Sequence, residues 1–92
     1  MSDPSADDGT IQVLLDRLNN WRLPRALELK ERVDKGEKLS DNDIEFLERV
    51  FEDAKNAKPL AERHPELKSL VGKLAGLYSH ITEKALENEK AS

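Results

Sequence analysis

The longest pattern of apolar positions in the chain lies between residues 65 and 89. Its apolar residues recur at steps of three and four, which places them on one side of an α-helix in an arc roughly 120° wide. Other segments must cover this stripe, because apolar surface is unfavourable in water. The stripe consists of Leu67, Leu70, Val71, Leu74, Leu77, Tyr78, Ile81 and Ala85.

Two shorter amphipathic segments, separated by a proline, make up the first part of the chain. Apolar residues share a face over residues 10–20 and again over residues 24–35. In the second segment the predicted buried side consists of Ala26, Leu27, Leu29 and Val33. Because Pro24 lacks an N–H group and disfavours helical geometry at the residue before it, we expect a turn at 20–23 between two helices. A single kinked helix is the alternative. Gly36 suits the left-handed position just after the second helix.

A third helix is predicted to start after Ser40. A serine followed three residues later by an acid, here Asp43, is close to the pattern of a reciprocal capping box. The apolar residues that follow cover an arc of roughly 160°, which is typical of a helix that contacts two neighbours. Those expected to face the core are Ile44, Leu47, Val50, Phe51 and Ala54, with Phe46 and Ala57 widening the arc. We expect this helix to end near Ala57, because Pro59 restricts the residue before it. Residues 58–64 are then a connector to the last helix.

These elements predict an all-α fold, a small antiparallel bundle of three to four helices with the last helix at its centre. Residues 1–9 are predicted to form a disordered acidic tail, because they contain almost nothing to bury. Residues 10–89 form the single helical-bundle domain, and residues 90–92 are expected to fray at the carboxyl terminus.

Composition narrows the possible functions of this 92-residue chain, which has a net charge of −4 and no cysteine. The lack of cysteine excludes disulfides, thiolate metal sites and cysteine nucleophiles, and it favours a cytoplasmic location. Residues 1–10 lack the basic and apolar regions of a signal peptide. No stretch approaches the roughly 18 apolar residues that a membrane span needs, so we expect no membrane association.

Reactive groups form no recognisable motif in this sequence. Carboxylates lie on polar helix faces four residues from basic partners, as Glu45 lies from Arg49. Neither a phosphate-binding loop nor a nucleophile motif is present. His64 and His80 are the only histidines, and neither belongs to a metal-binding motif. We therefore expect no enzyme activity, no cofactor, no metal and no small-molecule substrate.

Trp21 is a candidate partner-binding residue because it is surrounded by Arg17, Arg22 and Arg25. Tryptophan and arginine are enriched in the residues that contribute most to protein interfaces. Arginine also binds carboxylates and phosphates through paired hydrogen bonds. The alternative is that Trp21 fills the corner between the first two helices, while the arginines are solvated or pair with acids of the third helix.

A second candidate site lies on the last helix, opposite its apolar stripe, where Ser69, Gly72, Gly76 and Ser79 fall together. Each glycine inside a helix costs about 1 kcal/mol relative to alanine. Small residues would be useful there if a helix from another subunit or partner packed closely against them. A neutral surface without a binding role is the alternative.

The sequence therefore favours a non-enzymatic protein-interaction module, an adaptor or regulator that presents helix faces to another protein. The first alternative is a structural protein that associates with itself as a homodimer. The second alternative is a nucleic-acid-associated regulator that uses Arg17, Arg22 and Arg25. The acidic net charge disfavours this second alternative, because phosphates repel acidic surfaces.

Overall fold

The computed structural model describes residues 4–91, with side chains from residue 9 onward, and within them it contains helices and short turns but no strand. Three helical rods pack together, which confirms the all-α fold. None of these helices contains an apolar stretch long enough to cross a lipid bilayer. The elements are α1 (Pro4–Arg17), a π-helical turn (Leu18–Arg22), α2 (Leu23–Asp34), α3 (Asp41–Ala61) and α4 (Pro65–Ala91).

α1, the π turn and α2 form one continuous helix over residues 4–34, which we call the first helix. The predicted turn at 20–23 is therefore wrong, and the alternative of a single helix is observed. The N–H of Leu23 donates to the carbonyl of Leu18, five residues earlier. This wider turn accommodates Pro24, which lacks an N–H and whose ring crowds the carbonyl four residues before it in a regular α-helix.

The first helix also begins earlier than the sequence predicted. Residues 1–3 of the expected acidic tail lie outside the described residues, and the backbone of residues 4–9 is helical. A proline at the first helical position explains this start. Its missing N–H would have no partner there anyway, and its ring fixes a helical φ angle.

α4 lies between the first helix and α3 and packs along both, as the sequence predicted. Arg22 pairs with Asp53 and Arg32 pairs with Asp43, so the first helix and α3 run in opposite directions. The result is an elongated bundle of 54 × 18 × 16 Å. Its most deeply buried large side chains are Leu18, Leu29, Val33, Val50, Leu67, Leu74 and Ile81.

Both ends of α3 depend on local chemistry. At its start the predicted capping box is present, with the Asp43 N–H donating to Ser40 Oγ at 3.2 Å and the Ser40 N–H donating to Asp43 Oδ2 at 2.9 Å. At its other end the helix continues through Pro59 to Ala61 instead of stopping near Ala57. Pro59 lies in the last turn, where it removes one hydrogen bond, and the burial of Ala57 and Ala61 offsets that loss.

The side chains buried by α3 differ in part from those expected. Phe46, Leu47 and Val50 are buried, whereas Ile44 and Phe51 remain exposed. The apolar arc of α3 is wider than the surface that its two neighbours can cover, so its edges face solvent. Leu27 of α2, also expected in the core, is exposed as well.

The turn after α2 is held by hydrogen bonds from near the carboxyl end of the chain. Gly36 has a φ of +96°, as the sequence predicted for the position after the helix. The side-chain amide of Asn88 donates to the carbonyls of Val33 and Glu37, each at 2.9 Å. This contact ties α4 to the end of α2, and α4 stays helical to Ala91, past the predicted start of fraying at residue 90.

Candidate functional site

An apolar groove of about 730 Å³ runs along the surface between α3 and α4. We call it the α3–α4 groove. Its sides and floor include Ala54 of α3 and Val71 and Ala75 of α4, and its base reaches the core residues Val50 and Leu74. Because alanine side chains are short, the two helices leave a trough between them instead of interdigitating to the surface.

Two aromatic rings, Phe51 of α3 and Tyr78 of α4, lie at one end of the groove. Their centroids are 5.7 Å apart and their planes are tilted by 39°, a common arrangement for a stabilising aromatic pair. Tyr78 is half-buried, whereas 56% of Phe51 is exposed. The exposed ring continues the apolar lining and makes one surface with it.

The predicted small-residue face of α4 is divided between different surfaces. Gly72 and Ser79 line the α3–α4 groove, whereas Ser69 lines a cleft on the opposite flank, beside α1. Gly76 is exposed between these two surfaces. An added Cβ atom at Gly72 or Gly76 would meet no atom within 4 Å, so no segment of the described chain packs closely against either glycine.

Trp21 lies on the surface with 74% of its area exposed, so the expectation that it fills a corner of the core is wrong. The π turn explains the difference. Its wider winding inserts one extra residue, which rotates Trp21 outward and brings Arg22 and Leu23 toward the bundle. Trp21 instead lines an open cleft of about 480 Å³ together with Val13 and Arg17.

The three candidate arginines contact α3 of their own chain or lie beside it. Arg22 Nε donates to Asp53 Oδ2 at 2.8 Å, and Arg17 Nη1 lies 3.9 Å from Asp53 Oδ1. The guanidinium of Arg25 lies 4.7 Å from the centre of the Phe46 ring, in a cation–π contact. The sequence alternative in which these arginines pair with acids of the third helix is therefore confirmed for Arg17 and Arg22.

Of the two histidines, His80 contacts a carboxylate of another helix. His80 Nε2 lies 2.7 Å from Asp34 Oδ1, so His80 joins α4 to α2 and is not simply solvated. Hydrogen bonds from Lys30 and, second, from His80 lower the pKa of the Asp34 carboxyl. Among the described residues, no three side chains of the types that bind metals come together.

Sequence reasoning missed the exposed aromatic residue of the groove, Phe51, because it was assigned to the core. One signal was available. Phe51 lies at the edge of an apolar arc that was already wider than one neighbour covers, and such edge positions are the first to be left in solvent. Which edge stays open depends on how α3 and α4 cross, and this is not encoded in the periodicity of either helix.

The sequence matches no protein-family model, no curated protein and no solved structure. The function is therefore inferred from the surface of the molecule itself.

Proposed function

We propose that this protein is a protein-interaction module that binds another protein through the α3–α4 groove. The observation that carries the proposal is the exposure of Phe51 as part of a continuous apolar lining. A single exposed apolar side chain is ordinary on a protein surface. A connected apolar groove with an aromatic ring beside it is typical of a surface that a partner covers.

The hydrophobic effect supplies the affinity in this proposal. Covering apolar surface contributes roughly 25 cal/mol per Å², and an aromatic ring offers a large area at a small cost in side-chain entropy. Phe51 is held against Tyr78 before any partner arrives. Little ordering of the groove is then needed on binding, which favours affinity.

The Trp21 cleft supports the proposal less strongly than the groove does. Asp53 already pairs with Arg22 at 2.8 Å and lies 3.9 Å from Arg17, so an acidic group that bound there would compete with an existing ion pair. The α3–α4 groove needs no such exchange. We therefore assign the main contact to the groove.

Site-specific photo-crosslinking in the native cell tests this proposal. A photoreactive phenylalanine analogue replaces Phe51 in one variant and Leu86 in the control. The two positions are matched, since each side chain is 56% exposed, and Leu86 lies outside the groove. We expect a crosslinked protein adduct from position 51 and none from position 86.

Two further variants connect any adduct to the groove. Gly72→Leu places a large side chain in the groove, whereas Gly76→Leu places the same side chain on α4 outside it. We expect the first to reduce crosslinking from position 51 and the second to leave it unchanged. Equal adducts from positions 51 and 86, or no adduct, would contradict the proposal. If the adduct instead joins two copies of this chain, the homodimer becomes the supported function.

A further inference from the structure

The rim of the α3–α4 groove is basic, although the protein as a whole is acidic. Lys55 and Lys58 of α3 and Lys68 of α4 line it, and Glu62 is the only acid among its lining residues. The chain carries a net charge of −4, so this local excess of positive charge is opposite to the overall balance.

Within the described part of the chain, the three rim lysines lack the ion pairs that four other lysines form. Lys30, Lys35, Lys38 and Lys84 each lie within ion-pair distance of a carboxylate. For Lys55, Lys58 and Lys68, no such pair exists with any residue whose side chain the structure describes. Their ammonium groups are exposed and available to a partner.

The shape of the groove fits one further helix. Residues 51–61 of α3 span about 15 Å at 1.5 Å per residue, which matches roughly three turns of a docked α-helix. Ala54, Gly72 and Ala75 are small enough to let a helix lie close to the floor. The apolar lining would receive residues spaced three and four apart, and the lysines would face the flanks of the docked helix.

The charge of the rim disfavours a second copy of this chain as the occupant of the groove. In a two-fold symmetric dimer the same groove faces itself, so each lysine rim would approach another lysine rim. Like charges placed opposite each other across an interface are unfavourable. A flat anionic membrane also fits poorly, because much of the apolar lining, including Val50 and Leu74, lies at the bottom of a concave surface.

We propose that the partner of the α3–α4 groove is an acidic amphipathic helix, with apolar residues facing the groove and Asp or Glu residues facing Lys55, Lys58 and Lys68. This inference rests on the proposed function and specifies its partner. The apolar face supplies most of the affinity. The acidic flanks accelerate association and exclude basic helices.

Two synthetic helical probes of about 14 residues test the inference. Each is about 21 Å long, so three turns fill the groove and about one turn extends beyond it. Both carry leucines spaced three and four apart. One has glutamates on its flanks and the other has lysines. Fluorescence anisotropy with the full chain measures binding at low and high salt. We expect the affinity of the acidic probe to exceed that of the basic probe by about tenfold or more. This difference in affinity should shrink as the salt concentration increases.

Charge reversal of the rim lysines provides a second test of the inference. Lys55→Glu, Lys58→Glu and Lys68→Glu together should reverse the preference between the probes. Lys73→Glu, on the flank of α4 that faces α1, should leave it unchanged. Gly72→Leu should weaken binding of the acidic probe, and Gly76→Leu should leave that binding unchanged. Circular dichroism confirms that each variant is folded.

Several outcomes would overturn the inference. These are equal affinity for the two probes, no binding of the acidic probe, or tighter binding to phosphatidylserine vesicles than to the acidic probe. A homodimer that Phe51→Glu dissociates would also overturn it. If position 51 crosslinks to another protein in the cell while the probes show no charge preference, the proposed function survives and this inference fails.

Discussion

Arg32 of α2 donates two hydrogen bonds to the carboxylate of Asp43 at the start of α3. The Nη1–Oδ1 distance is 3.3 Å and the Nη2–Oδ2 distance is 2.9 Å. Asp43 is buried, with 4% of its area exposed, and it also closes the capping box with Ser40. One carboxylate therefore both starts α3 and fixes α3 against the first helix.

Replacing Asp43 with alanine should lower the free energy of unfolding by about 2–3 kcal/mol. The change removes a helix cap and leaves Arg32 without its buried partner. Ser40→Ala removes only the cap and should cost about 1 kcal/mol. Urea denaturation measures both variants. Equal losses for the two would show that the ion pair with Arg32 contributes nothing.

Stability should fall in acid because the pKa of Asp43 is lowered in the folded protein. Burial opposes ionisation of this carboxyl, but hydrogen bonds from the Ser40 N–H, the Arg32 guanidinium and the Ser40 hydroxyl outweigh it and lower the pKa. The resulting stabilisation is fully present above the unfolded pKa of about 4 and is lost as pH falls through the folded pKa. The same contact raises the pKa of Arg32.

Urea titrations between neutral pH and about pH 2.5 check this dependence. Wild-type protein should lose stability over the acidic range more steeply than Asp43→Asn, whose side chain cannot ionise. Asp34→Asn should change the slope less, because the Asp34 pair is exposed and is screened by salt. Parallel curves for wild type and Asp43→Asn would contradict the role of Asp43.

Leu74 should be among the residues that contribute most to the core. Its side chain is fully buried on α4, the helix that packs against both the first helix and α3. Leu74→Ala should cost about 2–5 kcal/mol through lost burial and the cavity left behind. Leu86→Ala is the matched control, since Leu86 is exposed on the same helix and should change stability by less than about 0.5 kcal/mol. Thermal or urea unfolding distinguishes the two. A small effect of Leu74→Ala would mean that the α4 stripe is not the centre of the core.

Gly76→Ala should stabilise the protein by about 0.5–1 kcal/mol. Gly76 lies inside α4, and a Cβ atom added there meets no neighbour within 4 Å. Alanine therefore gains helix propensity without a clash. Thermal unfolding measures the shift. A destabilised Gly76→Ala protein would show that another segment packs against this position in solution.

Trp21 should contribute little to stability although it is the only tryptophan. With 74% of its area exposed, Trp21→Ala should change the unfolding free energy by less than about 1 kcal/mol. Fluorescence of the wild-type protein should show the red-shifted emission of a solvated indole and ready quenching by acrylamide. Blue-shifted emission with weak quenching would place Trp21 in the core after all.

Features that depend on neighbours within one or two helical turns were predictable from the sequence. The apolar stripe of α4, the capping box of Ser40 and Asp43, and the left-handed turn at Gly36 all follow from short-range periodicity and backbone chemistry. These interactions need no knowledge of distant segments. For this reason the helical class and the central place of α4 were predictable.

Which edges of those helices remain exposed depends on how the helices wind and pack against one another. A π turn before Pro24 rotated Trp21 outward, and the crossing of α3 with α4 left Phe51 in solvent. Asn88 came to hold the end of α2, more than fifty residues away in the chain. The lysine rim likewise exists only because α3 and α4 lie side by side. Such surfaces are formed by segments that are distant in sequence. The periodicity of a single helix therefore carries no information about them.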